Sequence, residues 1–149
     1  MERRDILKGA GALTLAALSG LAGATEHEHH NHGHMHAAGN NTQQLLAAAG
    51  DCVQKAEACL SHCLILLGNG EKEMAACAQS VNQTMAICRA LESLAGQNSK
   101  YAASLARVAL DACLECEKEC RKHEKKHAEC KACADSCAAC AKQCKALIG

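Results

Sequence analysis

The stretch from Cys130 to Cys144 reads C-K-A-C-A-D-S-C-A-A-C-A-K-Q-C, with cysteines at 130, 133, 137, 140 and 144. The spacings are 3, 4, 3 and 4. That alternation keeps side chains on one face of an α-helix, where a strand would need a period of two. The residues between the cysteines are Ala, Lys, Gln, Asp and Ser, which suit the outer side of such a helix. The fold is therefore helical here, and its inward stripe is made of thiols.

The same reading extends toward the N-terminus. Cys113, Cys116 and Cys120 repeat the pattern, and His123 and His127 fall on their stripe if the helix continues. Met74, Cys77, Val81, Cys88 and Leu91 share another face. Cys52, Cys59 and Cys63, spaced 7 and 4, run in register with Leu45 and Leu66. All 13 cysteines thus belong to four stripes. Glycine-rich breaks at Gly68-Asn69-Gly70 and Gly96-Gln97-Asn98 separate the segments. The first helix is expected from about Thr42 to Leu67, with Gly50-Asp51 as a candidate break. The second is expected from about Glu71 to Ala95, the third from near Ser99, and the fourth ends near Leu147. Arg121 to Lys126 are charged but hold neither Gly nor Pro, so the third boundary is weakly marked. Four segments and three turns predict an all-α, up-down-up-down four-helix bundle with a Cys-lined core.

Composition narrows the function. The chain has 149 residues, no Pro, Trp or Phe, one Tyr, and equal numbers of acidic and basic side chains, 16 each. A balanced charge argues against nucleic-acid binding. The hydrophobic fraction of 49% argues against disorder. No Ser/His/Asp or Cys/His pattern and no phosphate loop stands out, so an enzyme is not expected.

Three chemistries compete for the thiols. Disulfides suit an exported chain, but the count is odd and helix neighbours at i, i+4 lie about 5–6 Å apart at Cβ, beyond the roughly 3.5–4.5 Å of a disulfide. Inert packing explains one or two buried thiols better than 13. Soft metal ions remain. Zinc prefers four tetrahedral ligands around turns, and iron–sulfur clusters prefer four cysteines on loops. Cu(I) accepts two or three thiolates, and the i, i+4 pairs Cys59/Cys63, Cys116/Cys120, Cys133/Cys137 and Cys140/Cys144 suit it. A buried thiolate also needs neutralising, and one Cu⁺ per Cys⁻ leaves the core neutral. Four thiolates on one Zn²⁺ leave an excess of negative charge. The expectation is a store of about one Cu(I) per cysteine, roughly a dozen ions. A zinc or broad-specificity detoxification protein and a disulfide-bonded helical protein stay open as alternatives.

The N-terminus reads as an address. Arg3-Arg4 precede Ile6, Leu7 and Lys8, an uncharged run follows, and Ala22-Gly23-Ala24 forms a small-residue exit. Residues 1–24 are expected to be a twin-arginine signal peptide that sends the protein to the periplasm, with no membrane anchor in the mature form. Residues 25–40 are expected to be a flexible tail carrying His27, His29, His30, His32, His34 and His36. Residues 41–149 form the bundle. Cleavage after Ala24 would start the mature chain Thr25-Glu26-His27, a square-planar four-nitrogen site for Cu(II) or Ni(II).

The twin-Arg leader, the His-rich start, C-L-S-H-C at Cys59 to Cys63, E-M-A-A-C at Glu73 to Cys77, and C-x-x-C-x-x-x-C at Cys113 to Cys120 and Cys133 to Cys140 resemble the exported bacterial copper storage proteins. The resemblance spans nearly all of the mature chain. It implies a bundle filled with Cu(I) on Cys52, Cys59, Cys63, Cys77, Cys88, Cys113, Cys116, Cys120, Cys130, Cys133, Cys137, Cys140 and Cys144, assembled as a homotetramer. It also implies uptake at one end, with His62 and Met74 at the mouth. Family members can carry further methionines there. Leu66 and Asn69 stand at the corresponding places, and His123 and His127 are candidate substitutes. The partners implied are copper ions, with a copper-requiring enzyme or chaperone as donor or recipient.

Overall fold

The structure is a computed structural model that describes residues 35–149. The expected signal peptide, His27 and the rest of the histidine tail before Met35 lie outside the described residues. Four α-helices run in chain order: α1 (Met35–Gly68), α2 (Ala75–Gly96), α3 (Ala102–Arg121) and α4 (Ala128–Ile148), with a short 3₁₀ turn at Lys72–Met74. Among the described residues there is no strand. Each helix packs on two neighbours, α1 on α2 and α4, α3 on α2 and α4, as the up-down-up-down order requires.

The first two turns close with the same device. Gly70 takes φ +95°, Glu71 N–H donates to Leu66 C=O at 3.0 Å and Gly70 N–H to Leu67 C=O at 3.0 Å. Asn98 takes φ +51°, Ser99 N–H donates to Leu94 C=O at 2.9 Å and Asn98 N–H to Ala95 C=O at 3.0 Å. Both are Schellman ends, in which a left-handed residue turns the chain back and satisfies the last carbonyls. Gly supplies that conformation freely, and Asn is the side chain that tolerates it best.

Two expected boundaries move. α1 starts at Met35 rather than Thr42, so residues 35–40 belong to the helix. Gly50-Asp51 does not break it, because the buried stripe Leu45, Ala49, Cys52, Ala56, Cys59, Cys63 continues across that point. Gly50 instead lets α2 come close: a Cβ there would sit 3.1 Å from Glu92 Oε1. The weakly marked boundary is real. α3 ends at Arg121, and α4 restarts after His127, whose φ −129° and ψ 111° are extended backbone.

The inward face holds all 13 cysteines, every one buried. Leu45, Leu91, Ala95, Ala106 and Ala109 fill the core toward the α2–α3 turn. Among the described residues the only buried polar side chains are Ser80, Thr84 and Ser136, and no charged side chain is buried. Thr84 donates to Ala112 C=O at 3.0 Å, and Ser136 to Cys133 C=O at 2.9 Å. No helix of the described residues is long and apolar enough to cross a membrane.

Candidate metal centre

The stripes converge on one column of sulfur. Every hydrogen-bonded Sγ pair, except Cys116/Cys120 at 4.0 Å, joins two different helices. The shortest, Cys77 to Cys120, is 3.6 Å and joins α2 to α3. Cys52 to Cys137 and Cys59 to Cys130, both 3.8 Å, join α1 to α4. Spacing alone draws attention to pairs along one helix. The bundle mostly brings together sulfurs from facing helices, which pairwise sequence spacing cannot reveal.

Four groups of sulfurs are close enough to share ions, with all ligand atoms in a group within 4.8 Å of one another. One takes a cysteine from each helix: Cys52, Cys88, Cys113 and Cys140. A second is Cys59, Cys63, Cys77 and Cys130. Two threes, Cys59/Cys120/Cys133 and Cys116/Cys133/Cys137, lie between them. Two sulfurs on one ion, at roughly 2.3 Å each, can be up to about 4.6 Å apart, so small shifts would let these groups bridge metal. Cys144 lies beyond the groups, beside Cys140.

The thiols set one another's acidity. Cys52 is pulled down by hydrogen bonds from Cys113 and Cys137, Cys63 by Cys130 and Cys59, and Cys133 by Cys116 and Cys120. Cys120 is pushed up first by its bond to Cys116, and Cys137 first by its bond to Cys113, with burial adding to both. A thiolate that accepts bonds from neighbours is favoured, and the donors hold their protons. With no charged group buried beside them, many thiolates can coexist here only if metal cations replace the protons.

One end of the column carries the expected accessory residues. His62 Nε2 lies 2.9 Å from His127 Nδ1, with ring centroids 4.9 Å apart. His123 stands next to His127, at 6.4 Å between centroids. The third turn thus folds back over α1, placing His127 beside His62. Glu129 Oε2, not singled out in the sequence, is 3.7 Å from His62 Nε2. Met74 is fully buried one turn before Cys77, inside the core rather than at an open rim. The turn is held by Arg121, which donates to Glu117, Glu124 and Asp135 at 3.2, 2.9 and 2.6 Å. Asp135 also accepts from Lys131 at 2.8 Å. No short motif marks Arg121; its spacing of 4 and 3 from Glu117 and Glu124 is the only sequence signal.

A helical bundle whose interior is thiol from end to middle, with no charged side chain buried among the described residues, defines a container for soft metal ions. The copper storage protein family matches residues 38–149, and the chain belongs to it. Apo copper storage protein 3 from Bacillus subtilis is similar at 25% identity and TM-score 0.64, covering 72% of this chain and 99% of its own. A Cu(I)-bound copper storage protein is similar at 24% and 0.66, covering 73% and 99%. A cytosolic copper storage protein from Streptomyces lividans, solved with five coppers, shares the fold at 21% and 0.65, covering 73% and 92%. No curated protein matches the chain.

Proposed function

We propose that the protein stores Cu(I) at about one ion per cysteine, roughly a dozen per chain, with thiolates bridging neighbouring ions and without a catalytic step. The observation that carries this is the set of 13 buried free thiols in contact across all four helices, with no buried cation among the described residues to balance them. The ligands are the cysteines, with Met74 as a soft donor beside Cys77. The His62–His127 pair is the place where copper is handed in. An anaerobic Cu(I) titration of reduced protein, followed to saturation against a Cu(I) chelator, tests the stoichiometry. About a dozen ions are expected; saturation at three or four would fit isolated tetrathiolate sites and end this reading.

One observation favours a second reading at one place. Cys52, Cys88, Cys113 and Cys140 offer the four sulfurs that a zinc ion takes. Charge argues against repeating that arrangement along the column. Competition between Cu(I) and Zn(II) for the reduced protein separates the two readings.

The leader supports export by the twin-arginine route, and the Thr25-Glu26-His27 start would add a Cu(II) site. The Streptomyces relative is a cytosolic protein, a location that belongs to that relative. Mass spectrometry of protein from the periplasm tests both cleavage and location. Exposed Leu64 and Ile65, at 58% and 64%, support association of copies along α1. Light scattering of the mature protein, with a homotetramer expected, tests this.

A further inference from the structure

The sulfur column is not uniform along its length. Toward the His62 end lie Cys59, Cys63, Cys77, Cys120 and Cys130, with Cys116 and Cys133 at the inner edge. Toward the other end lie Cys52, Cys88, Cys113, Cys140 and Cys144. On α2 the step from Cys77 to Cys88 is eleven residues, about 16 Å of rise, with Val81 and Thr84 on the buried stripe between them. On α1 the step from Cys52 to Cys59 is about 10 Å, with Ala56 between. One ion joins sulfurs only about 4.6 Å apart. Neither helix can pass an ion along its own thiols.

Cys137 spans the gap. It shares a group within 4.8 Å with Cys116 and Cys133 on one side, and its Sγ is 3.8 Å from Cys52 on the other. The other hydrogen-bonded sulfur pairs all stay within one half. We propose that Cys137, fed by Cys116 and Cys133, is the crossing through which Cu(I) passes between the two halves of the store. The proposal rests on the storage reading. It holds whichever end admits copper.

The step is a ligand exchange without electron transfer. Cu(I) leaves the Cys116 or Cys133 sulfur as a bond to the Cys137 sulfur forms. The proton released from Cys137 goes to the sulfur left behind. A second exchange delivers the ion to Cys52 and frees Cys137 for the next. A hydroxyl is a poor ligand for a soft ion, so Cys137→Ser keeps the shape of the site and removes the step.

The test is anaerobic stopped-flow uptake of Cu(I) from a weak chelate by the reduced full-length mature protein, read by thiolate-to-copper absorbance. Wild type and Cys144→Ser are expected to fill in the same phases, the latter one ion short. Cys137→Ser is expected to fill the half that meets copper first at the wild-type rate. The other half then fills on the order of tenfold more slowly or worse, since a lost ligand raises the barrier to each transfer. Cys137→Ala should behave alike, with circular dichroism checking the fold of both. Val81→Cys with Thr84→Cys in the Cys137→Ser background opens a second crossing on α2 and should restore the fast phase. Wild-type phases in Cys137→Ser, or an equal slow phase in Cys144→Ser, would overturn the crossing. Final capacity of wild type reads the storage claim separately.

Discussion

The two ends of the bundle are built from different chemistry. Where α1 and α3 end and α2 and α4 begin, thiols reach the last turns: Cys77 and Cys130 are the third residues of their helices, and Cys120 is the next to last of α3. Where α1 and α3 begin, the core closes with Leu45, Leu91, Ala95 and Ala106, and partly buried Leu105 and Leu147 pack on them. The first end offers ligands and a pair of imidazoles. The second offers apolar area that needs no metal. Folding and storage are thus divided between ends, and a chain with an all-thiol core would lack the part that lets the empty bundle hold together.

The largest effect this division predicts is that of copper itself. Ligand bound only to the folded state stabilises it by RT ln(1 + [L]/Kd), about 4 kcal/mol for each site at a thousandfold excess over Kd. Summed over several sites this exceeds the whole stability of an ordinary domain. The copper-loaded protein should melt tens of degrees above the apo form, at roughly 4–8 °C for each kcal/mol. Hydrogen exchange should slow most at the thiol-rich end. Calorimetry of reduced apo and loaded protein checks this; equal melting temperatures would break the comparison at its root.

Next comes the apolar end. Leu91→Ala should cost the apo protein about 2–5 kcal/mol, because it removes a fully buried leucine and leaves a cavity. Its copper capacity should stay that of wild type. Cys63→Ser at the other end should cost about 1 kcal/mol, since a hydroxyl can keep a hydrogen bond within the network. Its capacity should fall by about one ion. Urea melts and Cu(I) titrations on the two variants read the contrast. A Leu91→Ala protein that lost copper sites in proportion to its stability would show that the ends are not separable.

Much of this was legible in the sequence because thiols were placed by helical period. Spacings of 3 and 4 identify the buried stripe wherever the stripe is regular, and 13 cysteines give it several independent readings. The glycine- and asparagine-containing turns were equally plain. Gly50 misled because glycine marks either a break or a close helix contact, and only the facing Glu92 decides which. The α3–α4 boundary lacked Gly and Pro because a salt-bridge knot on Arg121 holds that turn instead. The sharing of sulfurs across helices was hidden for a different reason. Contacts between segments depend on rotation and axial shift of whole helices, which local spacing does not encode. His123 and His127 were expected on a continuing stripe or at the mouth; the chain leaves the helix before His127, which lies beside His62 rather than on the stripe.

A smaller effect belongs to the imidazoles. If the thiol-rich end is where copper arrives, replacing His62 and His127 together by Ala should slow uptake several-fold, on the order of 1 kcal/mol in the barrier, and leave final capacity unchanged. Placing two Ala substitutions at Asn98 and Lys100, on the turn at the opposite end, should leave the rate alone. Stopped-flow uptake distinguishes them, and equal slowing by both pairs would remove the direction from the comparison.

The smallest effect lies in the knot that seats the α3–α4 turn. The Asp135 carboxyl is held below the ordinary carboxylate range, first by Lys131 and then by Arg121. Arg121 itself is pushed up, first by Glu124 and then by Asp135. A carboxyl depressed in the fold contributes stability that is present above its unfolded value, near about 3.9, and lost as pH falls through the folded value. Asp135 is exposed to solvent, so screening keeps its share small and salt weakens it further. Asp135→Asn should therefore lower the apo melting temperature slightly at pH 7 and low ionic strength. The difference should shrink in strong salt and fade at acid pH, as pH falls through the folded carboxyl's depressed value and the wild-type group is protonated too. Leu91→Ala, at the other end, should lower the melting temperature at both pH values. A difference for Asp135→Asn that persisted unchanged at acid pH would mean that the side chain holds the turn through neutral hydrogen bonds, and the two ends would then be stabilised by forces equally indifferent to charge.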